Sequence, residues 1–203
     1  MKMHKTLIVL TLAGVVALAG WTTPEKVTRY VFTPESKMWV EGTSTVHAWK
    51  AEVKALTGFV EVGGEAAIEQ GGEVTNGSLT VFVSDLDANN GTMNKKMRDA
   101  LKADDHNAIT FELISANTAL DAVNGGYVVT AKGNLTLAGV KKPIEVRLDG
   151  KDLDGGKMQL KGNYELFMTD YGIRPPTAML GTMKTGDKVT VYFELVAAAP
   201  AGV

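Results

Sequence analysis

An antiparallel all-β barrel of about eight strands, with one short covering helix, is the fold class this sequence predicts. Three observations carry the prediction. Apolar and polar residues alternate with period two along most of the chain, which puts one file of side chains on each face of a strand. Twenty-two glycines, several in Asn-Gly and Gly-Gly pairs, punctuate these segments as turns do. Only one stretch has helical spacing, so there are no strand–helix–strand units to build a parallel sheet. Residues 127–148 show the pattern best. Tyr127, Val129, Ala131, Gly133, Leu135 and Leu137 form one file, a Gly-containing break follows at 138–142, and Ile144, Val146 and Leu148 resume it. That is a hairpin with one dry and one wet face. Dry faces must be buried against each other, in a sandwich or a closed barrel. The small residues Ala131, Gly133 and Gly162 favour a barrel whose interior is not filled by bulk.

In chain order, Lys2, His4 and Lys5 precede an uncharged run from Leu7 to Ala19, which ends in the small–x–small pattern Ala17-Leu18-Ala19. The run is short for a membrane span, so a removed secretory signal over 1–19 is expected, with a retained anchor as the alternative. Trp21 stands where a lipoprotein signal needs Cys. Removal of two lysines with the signal leaves a net charge of about −4. Residues 20–36 are read as a lead-in, with Val27 to Phe32 as a short edge strand, 37–197 as the barrel domain and 198–203 as a tail. Met38 to Val46 and Ala48 to Val62 read as strands, with Gly42 marking a bend. After an acidic, Gly-rich loop at 65–75, Leu79, Val81 and Val83 form a dry file. Thr92 is the expected cap of a helix from Met93 to Lys102. Its apolar face is Met93, Met97, Ala100 and Leu101, with Lys95, Lys96, Arg98 and Asp99 largely on the other. Further dry files are Ile109, Phe111 and Leu113; Met158 to Met168 in twos; and Val189, Val191, Phe193 and Leu195 after a loop from Tyr171 to Gly186.

Composition excludes several classes of function. With 21 basic and 23 acidic residues there is no electrostatic footprint for nucleic acid. The absence of Cys removes disulfides, thiolate metal sites and cysteine nucleophiles together. There is no Gly-x-Ser-x-Gly elbow and no phosphate-cradling glycine motif. Asp85 to Gly91 starts like a calcium loop, but Asn90 occupies the sixth position and Lys96 the twelfth, where Gly and Glu are required. His47 and His106 each lack a second ligand at metal spacing. Ser44 and His47, three residues apart, fall on opposite faces of a strand. No catalytic residue, metal ligand or cofactor is expected.

Residues 133–144, Gly-Asn-Leu-Thr-Leu-Ala-Gly-Val-Lys-Lys-Pro-Ile, resemble the G-x-L-T-x-x-G-V-x-K-P stretch of the YceI-like family. Ala108-Ile109-Thr110-Phe111 is similar to its P-x-I-x-F strand start, and the helix 93–101 and the run Tyr164 to Ile173 also fit. The resemblance covers most of 37–197. Two segments depart from it: His106-Asn107-Ala108 replaces an aromatic–Pro pair, and Gly42 to Trp49 has the family's variant form. The resemblance implies an extended, lipocalin-like barrel, exported from a bacterium to the periplasm or secreted. The implied partner is a hydrophobic small molecule of polyisoprenoid type, or a quinone or similar lipid, held without covalent chemistry. A homodimer is compatible with this reading, whereas nucleic acid and a stable membrane span are not expected partners. Alternation nominates Val81, Val83, Phe111, Leu113, Val129, Leu135, Ile144, Val146, Leu160, Tyr164, Leu166, Val191 and Phe193 for the interior. His47, Trp49 and Tyr171 are the head-group candidates, with Lys141 and Lys142 as nearby cations should their turn lie at the open end. Two rivals stay open: a ligand-free structural or interaction barrel with a packed interior, and an enzyme acting on an isoprenoid substrate.

Overall fold

The computed structural model describes residues 26–64, 68, 72–123, 125–178 and 182–199. The expected signal at 1–19 and residues 200–203 of the expected tail lie outside them. Twelve strand segments are present: β1 Val27–Phe32, β2 Lys37–Ser44, β3 Trp49–Val53, β4 Thr57–Gly63, β5 Glu73–Phe82, β6 Leu86–Asp87, β7 Ala108–Leu120, β8 Tyr127–Leu137, β9 Val140–Leu153, β10 Lys157–Phe167, β11 Thr177–Ala178 and β12 Met183–Ala198.

Eleven of these segments merge into eight staves. β1 and β2 run along the same edge of β12 and are interrupted only at 33–36. There Ser36 Oγ accepts from the Val196 N–H at 3.0 Å and donates to its carbonyl, standing in for the missing ladder. Pro34 is accommodated in this interruption. Val27–Phe32 is therefore no edge strand: it pairs β4 along its length and β12 at its end. β3 and β4 form the second stave, and β5 and β6 the third. β7, β8, β9, β10 and β12 follow as an antiparallel meander, and β12 closes the ring on β1 and β2. β11 is a short addition to β12.

The β8–β9 hairpin turns through two residues, Ala138 at φ 49° and Gly139 at φ 81°, as a tight hairpin loop of this twist demands. The expected break at 138–142 is thus shorter, because Lys141, Lys142 and Pro143 already lie in β9, opposite Thr136, Leu135 and Asn134. Pro143 is tolerated because β9 pairs β10 only from Leu148 onward. Helix α1, Gly91–Ala100, is capped by Asn90 rather than Thr92: the Asn90 side chain accepts from the Met93 N–H at 3.0 Å. Asp87, third residue of the would-be calcium loop, accepts instead from the Asn89 N–H and the Asn94 side chain. On the outer face Lys132 opposes Glu145 and Lys161 opposes Glu194 as cross-strand ion pairs, consistent with the register.

The small residues in the dry files do not simply open the interior. A side chain at Gly162 would meet the Phe193 ring at 2.8 Å and the Arg147 carbonyl oxygen at 2.6 Å, and the space beside Gly133, Gly150 and Gly42 is taken by the rings of Phe111, Tyr127 and Trp49. Gly162 and Phe193, Gly150 and Tyr127, and Gly42 and Trp49 are direct cross-strand partners. Each ring lies over a glycine and shields backbone. At the end that carries the β4–β5, β7–β8 and β9–β10 connections, Tyr127, Ile68, Met158 and Val62 are almost fully buried and plug the barrel. A Gly150→Ala substitution drives its methyl group into the Tyr127 ring, which is 1% exposed. It should cost about 1–3 kcal/mol, read as a lower urea midpoint; an unchanged midpoint would show that the ring can shift.

Candidate functional site

Above the plug lies a cavity of about 550 Å³, the size of a ligand pocket. Every stave contributes alternate residues to its wall, among them Met38 and Val40, Val53 and Val60, Leu79 and Val81, and Val189 and Leu195. Twelve of the thirteen interior candidates border it: Val81, Phe111, Leu113, Val129, Leu135, Ile144, Val146, Leu160, Tyr164, Leu166, Val191 and Phe193. Val83 does not. β5 ends at Phe82 and Val83 opens a single 3₁₀ turn, Val83–Asp85, so the alternation stops one residue short and the side chain is buried in the core. The expected apolar face of α1, Met93, Met97, Ala100 and Leu101, closes over the end opposite the plug.

Polar groups border the cavity in two places. One is on β5, where Asn76 and Ser78 face the point at which the β5–β7 ladder ends, at Ser78 opposite Glu112. The other is the rim at the α1 end, formed by Ser44, His47, Asn90, Thr92, Lys96, Thr177, Lys184 and Thr185. Exposed His47 and Lys184 mark this rim as the mouth.

The head-group candidates separate. His47 sits at the mouth in the β2–β3 turn, with Nδ1 against the Ala48 carbonyl oxygen at 2.9 Å. The Ser44 hydroxyl donates to the His47 carbonyl and accepts from the Val46 and His47 N–H groups, so it builds the turn and makes no bond to the imidazole. Trp49 borders the cavity with its ring over Gly42, and its indole N–H donates to the Thr43 carbonyl at 3.1 Å. Tyr171 is elsewhere: it is buried in a second apolar cluster with Leu137, Leu166, Met168, Ile173 and Val189, and is not on the cavity wall. This cluster fills the region where β9 and β10 have parted. Burial, then Tyr164, then Asp170 push the Tyr171 phenol up to about 12. Tyr164 is raised for the same leading reason, burial.

The 138–139 turn does lie at the open end, yet Lys141 pairs with Glu112 at 2.6 Å and Lys142 with Asp170 at 3.6 Å, and neither borders the cavity. Among the described residues, the charged ones that do are Lys96 and Lys184. A signal for Lys96 was present in the sequence. Met93, Lys96, Met97, Ala100 and Leu101 follow the i, i+3, i+4, i+7, i+8 spacing of one helix face, with a lysine in the i+3 place.

The molecule is thus a closed eight-stranded barrel with an apolar lumen and a polar rim at one end. The model of the YceI-like domain matches residues 21–197, and the chain belongs to that family. Solved structures share the fold at low identity. BcnA of Burkholderia cenocepacia is 18% identical with a TM-score of 0.63, over 81% of this chain and 97% of its own. A polyisoprenoid binding domain from Saccharophagus degradans is 16% identical with a TM-score of 0.65, over 86% and 100%. The Campylobacter jejuni YCEI protein is 17% identical with a TM-score of 0.57, over 75% and 85%. No curated protein sequence matches the chain.

The raised phenol carries a stability prediction. Tyr171 ionises near pH 10 in the unfolded chain and near 12 in the fold, so its contribution is complete below about pH 10 and is lost as pH rises toward 12. Tyr171→Phe removes this proton and should lose less stability than the parent between those limits. Urea melts at the two ends of the window measure it; parallel losses would place the phenol in water.

Proposed function

We propose that this barrel binds or carries a hydrophobic amphiphile, a polyisoprenoid, quinone or similar lipid, with the tail in the lumen and the head at the α1 end. The observation that carries the reading is the cavity itself: a scaffold barrel would fill about 550 Å³ of aliphatic-walled space with side chains, and this one leaves it open to the rim. A tail buried there gains roughly 25 cal/mol for each Å² of apolar surface removed from water, less the cost of ordering it. The polyisoprenoid binding domain of Saccharophagus degradans, with the same fold, supports this choice of ligand class. The role is non-enzymatic. Ser44 and the His47 imidazole make no hydrogen bond to each other, and each instead bonds a backbone carbonyl of the β2–β3 turn. The uncharged run at 7–19 supports an exported compartment, periplasmic or extracellular, as the place where the ligand is met.

Titration with prenyl alcohols of increasing length tests the reading, by native mass spectrometry and by competition with a fluorescent lipid. Affinity should rise several-fold per isoprene unit and level off once the lumen is full. Ile144→Trp, which adds bulk to the wall, should move the plateau to shorter chains and weaken long-chain binding by about tenfold or more. Length-independent or undetectable binding would sink the proposal.

A further inference from the structure

We infer that the cavity has a second opening, a seam in the barrel wall between β5 and β7, and that the tail of the amphiphile enters and leaves through it. The inference rests on the proposed function for the ligand and adds its route. β5 and β7 pair only from Ser78 opposite Glu112 to Phe82 opposite Ala108. Beyond that, Glu73 to Gly77 on one side and Leu113 to Leu120 on the other share no ladder among the described residues. Two observations connect the lumen to the outside here. Away from the rim, the strand residues that border the cavity belong to inward files, with three exceptions: Phe59, Asn76 and Ser78. These alternate with Val60, Gly77 and Leu79 and point outward, and Arg29 covers Phe59 from the outer face at 3.4 Å from the ring centre. Ser78 ends the ladder, Phe59 is its partner on β4, and Asn76 is two residues further along. The second observation is that the inward file of β7 is wet. Ala116, Thr118 and Leu120 oppose Ala131, Val129 and Tyr127, which are 5%, 3% and 1% exposed. Ala116 and Thr118 are nevertheless only half-buried, and Leu120 is 64% exposed.

The other parting of the wall, between β9 and β10, is filled with bulk by Met168, Tyr171 and Ile173. The seam is not. Gly77 faces Leu113, and a Cβ on it would lie 3.8 Å from that side chain. The Gly77 N–H is satisfied by the Asn76 side chain at 2.8 Å, so this edge stands without a partner strand. The lip on β7 carries no charge and no proline from Leu113 to Leu120, and Ile114 on it is 63% exposed. Exposed edges are ordinarily blunted by charge or proline, and this one offers apolar contact instead. The ends of the barrel suit a tail in transit less well. Tyr127, Ile68, Met158 and Val62 plug one, and α1 closes over the other. A slit that runs along the strands admits a long chain sideways, whereas an end-on path must thread it past α1. Segments with few ladder bonds and few buried contacts open at the lowest cost, which makes the seam the place where the wall parts.

The chain has no cysteine, so a single introduced thiol can be labelled cleanly. Ile114→Cys lies on the lip; Val46→Cys, at a site of matching 62% exposure, lies in the β2–β3 turn beside the mouth and off the cavity wall. Each is given a bulky adduct with N-cyclohexylmaleimide or a small one with methyl methanethiosulfonate. Binding of geranylgeraniol is followed by stopped-flow tryptophan fluorescence, Trp49 being on the cavity wall, and release by trapping in excess phosphatidylcholine vesicles. The bulky adduct at 114 should slow association and release together by about tenfold or more, with the dissociation constant held within about two-fold. That pairing marks a blocked path and not an altered site. The small adduct at 114 and both adducts at 46 should leave the rates within about two-fold of the parent. Leu120→Cys, further along the same lip, repeats the measurement at an independent position. Unchanged rates with the bulky adducts at 114 and 120, equal slowing by the small one, slowing at 46 alone, or weaker binding with unchanged association would overturn the seam and leave the carrier standing. Failure of the parent to bind geranylgeraniol at all would remove both.

Discussion

The packing of an aromatic ring over a glycine on the neighbouring strand is the interaction on which the rest of this barrel depends. An eight-stranded barrel is only just wide enough for its interior to be filled by side chains or to hold one small ligand. Phe193, Phe111 and Trp49 all point into that interior, and any of them standing upright would occupy it. Gly162, Gly133 and Gly42 give the rings a place against the wall, so large apolar surface is buried without crossing the lumen. At Gly150 the same pairing has the opposite effect. The Tyr127 ring lies low at the plugged end, where its hydroxyl donates to Asp152 at 3.3 Å, and it contributes to the floor. One device therefore makes both the space and the bottom of the space.

The wall is not uniformly laddered, and the two places where the ladder stops are handled differently. β5 and β7 part beyond Ser78 and Glu112, where Ile114 forms a bulge against β8. There the Gly77 N–H is satisfied by the Asn76 side chain at 2.8 Å, and Asn76 also donates to Glu61. Backbone groups without a strand partner are thus met by side chains. β9 and β10 part above Leu148 and Gly162, and here the chain inserts bulk: Met168, Tyr171 and Ile173 pack behind Leu137 and Leu166. Lys142 lies over the Tyr171 ring at 5.6 Å and pairs with Asp170, so the most family-specific hairpin of the sequence is bracing for the wall. Its lysines are committed to ion pairs with Glu112 and Asp170 and do not border the cavity.

Much of this was legible in the sequence because period two is a geometric necessity of strands and solvent punishes a misplaced apolar file. The alternation of Tyr127 to Leu137 or Leu160 to Leu166 could be read directly as inside and outside. It failed where local backbone left the strand, at Val83, because a 3₁₀ turn does not announce itself in hydrophobicity. The cap of α1 was misplaced because Asn90 and Thr92 are both good capping residues, and only the geometry decides between them. The unfilled interior expected from Gly133 and Gly162 is present, but by a route the sequence does not display. A missing side chain frees room, but the sequence does not say which neighbour moves in. Tyr171 was assigned to the mouth from its loop, whereas its burial depends on where β9 and β10 separate. Lys184 was out of reach altogether, since its place follows from the pairing of Thr177 with β12.

The division between wall and rim has a consequence for selectivity under the proposed function. The lower lumen is bounded by Val60, Val129, Ala131, Val146, Leu160 and Leu195, which offer contact area and no directional polar group. Such a surface rewards any tail that fits and discriminates weakly between tails that differ by a methylene. Burial there supplies affinity, and width and depth supply a length cut-off. Identity has to be read where polar groups are fixed, and the described cavity fixes them chiefly at the rim, on elements tied together through Thr45, Pro176 and Thr177. A charge held at the mouth also stays partly solvated, so a head group is recognised without paying the full desolvation of a buried ion. Tail burial and head recognition are in this way separable properties of one barrel under that reading: glycines that lay rings flat serve the first, and the polar groups of the rim serve the second.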